Sequence, residues 1–128
     1  MKRPRILIVD DSSVMRKIVE RSLRQAGLEL GDIVEAGNGI EALAAVKAGA
    51  FDLILSDINM PAMDGLEFLR QLGTVEGGKG TPVVMITTEG SESRVVEALS
   101  IGAKGYIRKP FTPDQIKERV TPLLEVLR

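Results

Sequence analysis

Short continuous apolar runs alternate along the whole chain with longer stretches in which apolar residues recur every three or four positions. The runs are Ile6 to Val9, Ile33-Val34, Leu53 to Leu55, Val83 to Ile86 and Tyr106-Ile107. Three of them are unbroken by polar residues, the pattern of strands covered on both faces. The intervening stretches predict helices. Val14 and Ile18, with Met15, Val19 and Leu23, mark the first, and Ile40, Leu43 and Ala44 the second. Leu66, Leu69 and Leu72 mark the third, and Val95, Val96 and Leu99 the fourth. Ile116, Val120, Leu123, Leu124 and Leu127 give the last and clearest stripe. Punctuation agrees. Gly27 and Gly49 stand where C-caps belong, Ser12 and Ser91 where N-caps belong, and Thr112-Pro113 suits a cap followed by a first helical residue. The segment Gly77-Gly78-Lys79-Gly80 runs into Thr81-Pro82 and a strand, without a hydroxyl residue opening a helix, so it reads as a surface connection rather than a phosphate cradle.

Strands and helices in strict alternation predict one α/β domain over residues 1–128, with a parallel sheet between two layers of helices. Periodicity leaves the strand order open. It does say where chemistry belongs, because ligands of such sheets bind beyond the carboxyl ends of the strands. The first strand runs into Asp10-Asp11 and the third into Asp57-Ile58-Asn59. The fourth ends at Thr87-Thr88 and the fifth at Arg108-Lys109-Pro110. Three aspartates, a hydroxyl and a lysine therefore gather at one edge. Each alone has a structural explanation as a cap, a turn or a strand terminus. Their convergence at four strand ends is what points to a site.

Composition narrows the chemistry. The chain contains no cysteine and no histidine, which excludes disulfides, thiolate catalysis, imidazole bases and the commonest metal ligands. The net charge of −1 gives no bulk attraction to nucleic acid or to an anionic membrane, and the basic start Lys2-Arg3-Pro4-Arg5 reads as a solvated lead-in. No apolar run approaches the length of a membrane span or a signal-peptide core, so a cytoplasmic location is expected. What remains is carboxylate, hydroxyl, lysine and metal chemistry. Two carboxylates about 5 Å apart repel by roughly 3 kcal/mol at an effective dielectric near 20. A divalent cation relieves this, and Mg²⁺ favours a few carboxylate oxygens, a carbonyl and waters. Asp10 and Asp11 with a carbonyl near Asn59 would suit it, leaving the third carboxylate as a nucleophile able to form an acyl phosphate. Positioning and charge neutralisation by the metal, Lys109 and hydroxyls would suffice, with no general base.

The segments Ile8-Val9-Asp10-Asp11, Ser56-Asp57-Ile58-Asn59-Met60-Pro61, Met63-Asp64-Gly65, Thr87 and Ala103-Lys104-Gly105-Tyr106-Ile107-Arg108-Lys109-Pro110-Phe111 resemble the receiver domains of two-component response regulators. The match spans essentially the whole chain and is most similar to the CheY type, the stand-alone chemotaxis regulators. The resemblance implies the three-layer, doubly wound (βα)5 flavodoxin-like fold with strand order 2-1-3-4-5. It implies that Asp57 accepts a phosphoryl group from a histidine kinase. Asp10 and Asp11, with Asp57 and the carbonyl of Asn59, would hold Mg²⁺, or Mn²⁺ in its place. Lys109 would pair with the acceptor and then the phosphate, through a cis bond to Pro110. Thr87 would bond the phosphoryl group, and Tyr106 would turn inward behind it. The surface of the fourth helix, fifth strand and fifth helix would then engage an effector such as a flagellar motor switch component. A separate phosphatase is a further implied partner. The chain would catalyse only its own phosphorylation and dephosphorylation. Asn59 and Glu89 fit positions that set phosphoryl lifetime. Thr88 departs, standing where the family prefers Ala, Gly or Ser, so it modulates the same step.

Other readings make distinct demands. A receiver module of another relay, or of a larger regulator, would carry the same site; nothing after Leu127-Arg128 reads as a linker, which favours a stand-alone protein. A flavin-binding electron carrier would need a hydroxyl- and glycine-rich loop after the first strand, where this chain has Asp10-Asp11-Ser12-Ser13, and aromatics are only 3%. An aspartyl phosphatase would need an acid where Asn59 stands.

Overall fold

The computed structural model describes residues 3–88 and 92–125, so the expectations placed on Lys2, Glu89, Ser91 and Leu127 fall outside it. Five strands, β1 (Ile6–Val9), β2 (Ile33–Ala36), β3 (Leu53–Ser56), β4 (Val83–Thr87) and β5 (Gly105–Arg108), alternate with five helices. The helices are α1 (Ser13–Gln25), α2 (Gly39–Ala48), α3 (Gly65–Leu72), α4 (Glu92–Ile101) and α5 (Pro113–Glu125). All strands pair in parallel, in the order β2-β1-β3-β4-β5. This is the doubly wound fold of the flavodoxin type.

Side-chain alternation splits the core in two. Ile6, Ile8, Leu53, Leu55, Val84, Ile86 and Ile107 pack with Val19 and Leu23 of α1 and with Ile116 and Val120 of α5. Leu7, Val9, Ile54, Val83 and Met85 face the other way, against Ala42, Leu43 and Val46 of α2, Phe68 and Leu69 of α3, and Ala98 of α4. The unbroken apolar runs are thus strands whose odd and even residues fill different layers.

In three helices only part of the predicted apolar pattern faces the sheet. Val14 and Ile18 of α1 are exposed, because the stripe through Val19, Ser22 and Leu23 meets the sheet and one cylinder cannot bury both. Ile40 and Ala44 of α2 lie outside for the same reason, with Gly39, Ala42, Leu43 and Val46 inside. In α4 Val96 and Leu99 are exposed and the buried contact is the small Ala98. The capping expectations fare better. Ser12 accepts from the Met15 amide, Gly27 has φ +85° just past the α1 cap, and Thr112 exchanges hydrogen bonds with Gln115 as a capping box. Gly49 does end α2, but with extended rather than left-handed backbone.

One glycine decides how closely the acceptor strand and α3 can approach. The amide of Gly65 donates to the Ile58 carbonyl at 2.7 Å, and a Cβ here would collide with the Asp57 carbonyl oxygen and lie 2.9 Å from the Ile58 Cα. Both obstacles are backbone and cannot rotate away. Gly65→Ala is therefore expected to destabilise the protein by about 3 kcal/mol, at the upper end of overpacking costs. Urea denaturation measures it, and a loss under 1 kcal/mol, the lower end of that range, would mean the loop after β3 yields easily.

Candidate acceptor and metal site

The register of the sheet brings the predicted residues together. Val9 lies opposite Ser56 and Thr87 opposite Arg108, so Asp10, Asp57 and Lys109 each stand one residue past an aligned strand end. Alternation then decides direction. Asp10 continues the series Ile6, Ile8; Asp57 continues Leu53, Leu55; and Lys109 follows Ile107, all on the α1–α5 side. The Lys109 ammonium donates to Asp10 Oδ2 at 2.7 Å and to Asp57 Oδ2 at 3.1 Å. Its peptide bond to Pro110 is cis, and its amide donates to the Thr87 carbonyl at 3.0 Å.

Each buried carboxylate is further held by backbone. Asp10 Oδ1 accepts from the Ser12 amide at 2.9 Å, at the N-terminus of α1, whose dipole favours an anion. Asp57 Oδ1 accepts from the Ile58 amide at 2.7 Å and, more weakly, from that of Asn59 at 3.4 Å. Asp10 and Asp57 are buried and Asp11 is exposed, and one carboxylate oxygen from each lies within 4.8 Å of the others. Burial on its own would lower the Lys109 ammonium, but the hydrogen bond to Asp10 and the charges of Asp57 and Asp10 outweigh it, holding its pKa above the ordinary lysine value.

The remaining predicted residues take varied positions. Thr87 is fully buried at the end of β4, while Thr88 and Asn59 are exposed. Tyr106 is 40% exposed on the edge strand β5. Two contributors were not singled out from the sequence. Gly65 was quoted only as part of a motif, and its close approach to Asp57 has no signature beyond its being glycine. Arg16 donates from Nη1 to the Asp10 carbonyl at 2.6 Å. Its one signal was a cation near the start of a helix, where the dipole disfavours it.

A family model described as response regulator receiver domain matches residues 6–121. The chain belongs to the response regulator receiver family. Among its curated relatives is the chemotaxis protein CheY-3 of Vibrio cholerae, 42% identical over 126 residues that span 98% of this chain and 95% of the relative. Among solved structures, CheY4 of Vibrio cholerae superposes with a TM-score of 0.83 at 36% identity, covering 95% of this chain and 99% of that one. The structure of a CheX–CheY–BeF3–Mg²⁺ complex from Borrelia burgdorferi matches with a TM-score of 0.84 at 32% identity, covering 94% and 88%. The receiver fold, its CheY-like character and the acidic cluster at the strand ends are therefore one consistent picture. Among the described residues no helix is long and apolar enough to cross a membrane.

Three carboxylates this close oppose folding when no multivalent cation is present. Asp11 is exposed and makes no ion pair with Lys109, so Asp11→Asn removes repulsion without orphaning a partner. In EDTA this receiver is expected to gain about 1 kcal/mol from the change, the Coulomb energy of nearby charges in a largely aqueous setting. Urea melts test it, and a loss of stability would mean that Asp11 is held by attraction instead.

Proposed function

We propose that this receiver is a phosphorylation-dependent signalling switch that takes a phosphoryl group from a histidine kinase onto Asp57. The observation that carries this reading is the Lys109 ammonium bridging Asp10 and Asp57, with a third carboxylate beside them. An Asp57 oxygen attacks phosphorus in line; an O–P bond forms to Asp57 and the P–N bond to the donor histidine breaks. Lys109 is placed to follow the charge from carboxylate to phosphoryl oxygen, and Thr87, at the end of the adjacent strand, to donate its hydroxyl there. The donor set suits Mg²⁺, or Mn²⁺: carboxylate oxygens of Asp10, Asp11 and Asp57 with the carbonyl of Asn59, all hard ligands. When bound, the metal neutralises charge shared between the carboxylates and the phosphoryl oxygens. The chain's own catalysis is limited to gaining and losing this group.

Tyr106 moves inward as Thr87 is drawn to the phosphate, and the face of α4, β5 and α5 changes shape for an effector. A flagellar motor switch component would take that role, in the cytoplasm, with a dedicated phosphatase as a further partner; the names of the chemotaxis relatives support the pathway. The Borrelia burgdorferi relative, whose structure includes CheX, BeF3 and Mg²⁺, supports both the metal and a protein partner.

Incubation with Mg²⁺ and a small acyl phosphate, followed by intact mass, tests the central claim. One added phosphoryl group is expected, lost in Asp57→Asn and in EDTA. No adduct under any of these conditions would leave a receiver that engages partners without phosphate. Thr88 stands one residue past β4, beside Thr87, and is exposed. Its branched hydroxyl restricts the approach of water, so Thr88→Ala is expected to shorten the phosphoryl lifetime several-fold. Superimposable decay curves for the two proteins would remove Thr88 from the account.

A further inference from the structure

Arg16 places a cation in the first turns of α1, an unfavourable position for one, and the helix has no acidic residue there to compensate. Its side chain is only 18% exposed and makes two directed contacts. Nε donates to Glu35 Oε1 of β2 at 2.8 Å, and Nη1 donates to the Asp10 carbonyl at 2.6 Å. Lys17 pairs with the other Glu35 oxygen at 2.6 Å. The hydrogen bond from Lys17 holds the Glu35 carboxyl below the ordinary range; burial opposes this and the Arg16 contact reinforces it, so Glu35 is a charged anchor for the guanidinium.

The Asp10 carbonyl belongs to the peptide that joins the two predicted metal-binding residues just past β1. That strand has already ended. The Asp10 amide still reaches the Ala36 carbonyl of β2 at 3.0 Å, while the Asp10 carbonyl is turned to Arg16. The side chain of Asp10 is fixed by Ser12 and Lys109. Asp11 is exposed, so its direction depends on the backbone it leaves from. We propose that Arg16 is a positioning residue for the metal site: anchored on Glu35, it clamps the Asp10–Asp11 peptide and so fixes the direction in which Asp11 offers its carboxylate to Mg²⁺. The inference rests on the Mg²⁺ reading given above. The planar guanidinium suits the task because it bridges two acceptors at set angles, which an ammonium on a flexible stem does not.

Charge and positioning make opposite demands, which exposes the inference to test. A cation near the site repels Mg²⁺, so if charge were the whole role its removal would tighten binding. If Arg16 positions Asp11, its removal weakens binding. Isothermal titration of Mg²⁺ into the wild type, Arg16→Met, Arg16→Lys and Lys17→Met distinguishes the two, with thermal melts monitoring the fold. Arg16→Met and Arg16→Lys are both expected to bind about tenfold more weakly, the lower end of losses seen when partners of metal ligands are removed. Lys17→Met, which removes only the exposed partner of Glu35, is expected to stay near the wild type. Tighter or unchanged binding by Arg16→Met overturns the inference, as does wild-type affinity in Arg16→Lys, which would make charge sufficient. Should Arg16→Met fail to fold, Arg16→Lys keeps both charge and stem and decides the matter alone. A wild type that takes up no Mg²⁺ overturns the metal reading and this inference with it, whereas failure confined to the Arg16 variants leaves that reading intact.

Discussion

Mutual repulsion among Asp10, Asp11 and Asp57 is the constraint around which the carboxyl edge of this sheet is arranged. With oxygens within 4.8 Å, the buried Asp10–Asp57 pair costs on the order of 3 kcal/mol at an effective dielectric near 20, before any partner is counted, and the exposed Asp11 adds less to each. The fold offsets this from several directions. Lys109 lies between the two buried carboxylates, the start of α1 offers an amide to Asp10, and the turn after β3 offers amides to Asp57. No one of these could be placed without the others. Strand register sets the level of the three residues, side-chain alternation sets the face, and Gly65 lets α3 come close enough to hold the turn. The offset is incomplete: three carboxylates face one ammonium, which leaves net negative charge at the edge of the sheet.

The same contacts tie the acceptor to more distant parts of the chain. The Lys109 amide bonds the Thr87 carbonyl, so the lysine and the buried hydroxyl residue share one backbone link. On the other side of the sheet, Asp64 caps α3 immediately before Gly65 and also pairs with Arg94 of α4 at 3.4 Å. Arg70 of α3 pairs with Glu97 of α4. The turn that supports Asp57 is thus joined to α4 by charge rather than by deep apolar packing, for Ala98 is the one buried side chain α4 contributes among the described residues. A helix held in this way can shift at modest cost, since partly exposed ion pairs each contribute little.

How far the sequence was legible depends on what kind of physics placed each residue. The elements were legible because their cause is local: β1 spans Ile6 to Val9 as its apolar run does, and Ser12 and Thr112 cap as their position suggests. The gathering of Asp10, Asp57 and Lys109 was legible from the rule that ligands bind at strand ends, without the strand order, which came from resemblance. The faces of α1 and α2 were legible only in part, and that of α4 less so, because more apolar positions lie on each helix than one face can bury and only the packed sheet chooses among them. Val19 won over Val14, Leu43 over Ile40, and Ala98 over Leu99. Arg16 and Gly65 were missed for a further reason. Their roles depend on what lies across space from them, the Asp10 carbonyl and the Asp57 carbonyl, and no spacing along the chain encodes that.

Those partly legible faces also bear on how a site made of paired charges could be read by another protein. Asp10, Asp57 and Thr87 are buried and Lys109 nearly so, which leaves little of the site itself for a partner to grip. Exposed apolar side chains lie at Val14 and Ile18 of α1, at Ile40 of α2, and on α4 and β5. Val96 and Leu99 stand on α4 and Tyr106 on the neighbouring β5, all at least 40% exposed. Large apolar groups in water gain most by being covered, so a partner seated here would bury apolar area. They sit on the element held to the turn after β3 by ion pairs and on the strand that leads into Lys109. On the proposed reading, a change of charge at Asp57 would have the backbone of β5 and the Asp64–Arg94 pair as its links to this surface. The departures from helical expectation in α4 thus fall on the face that the proposed switch would present to a partner.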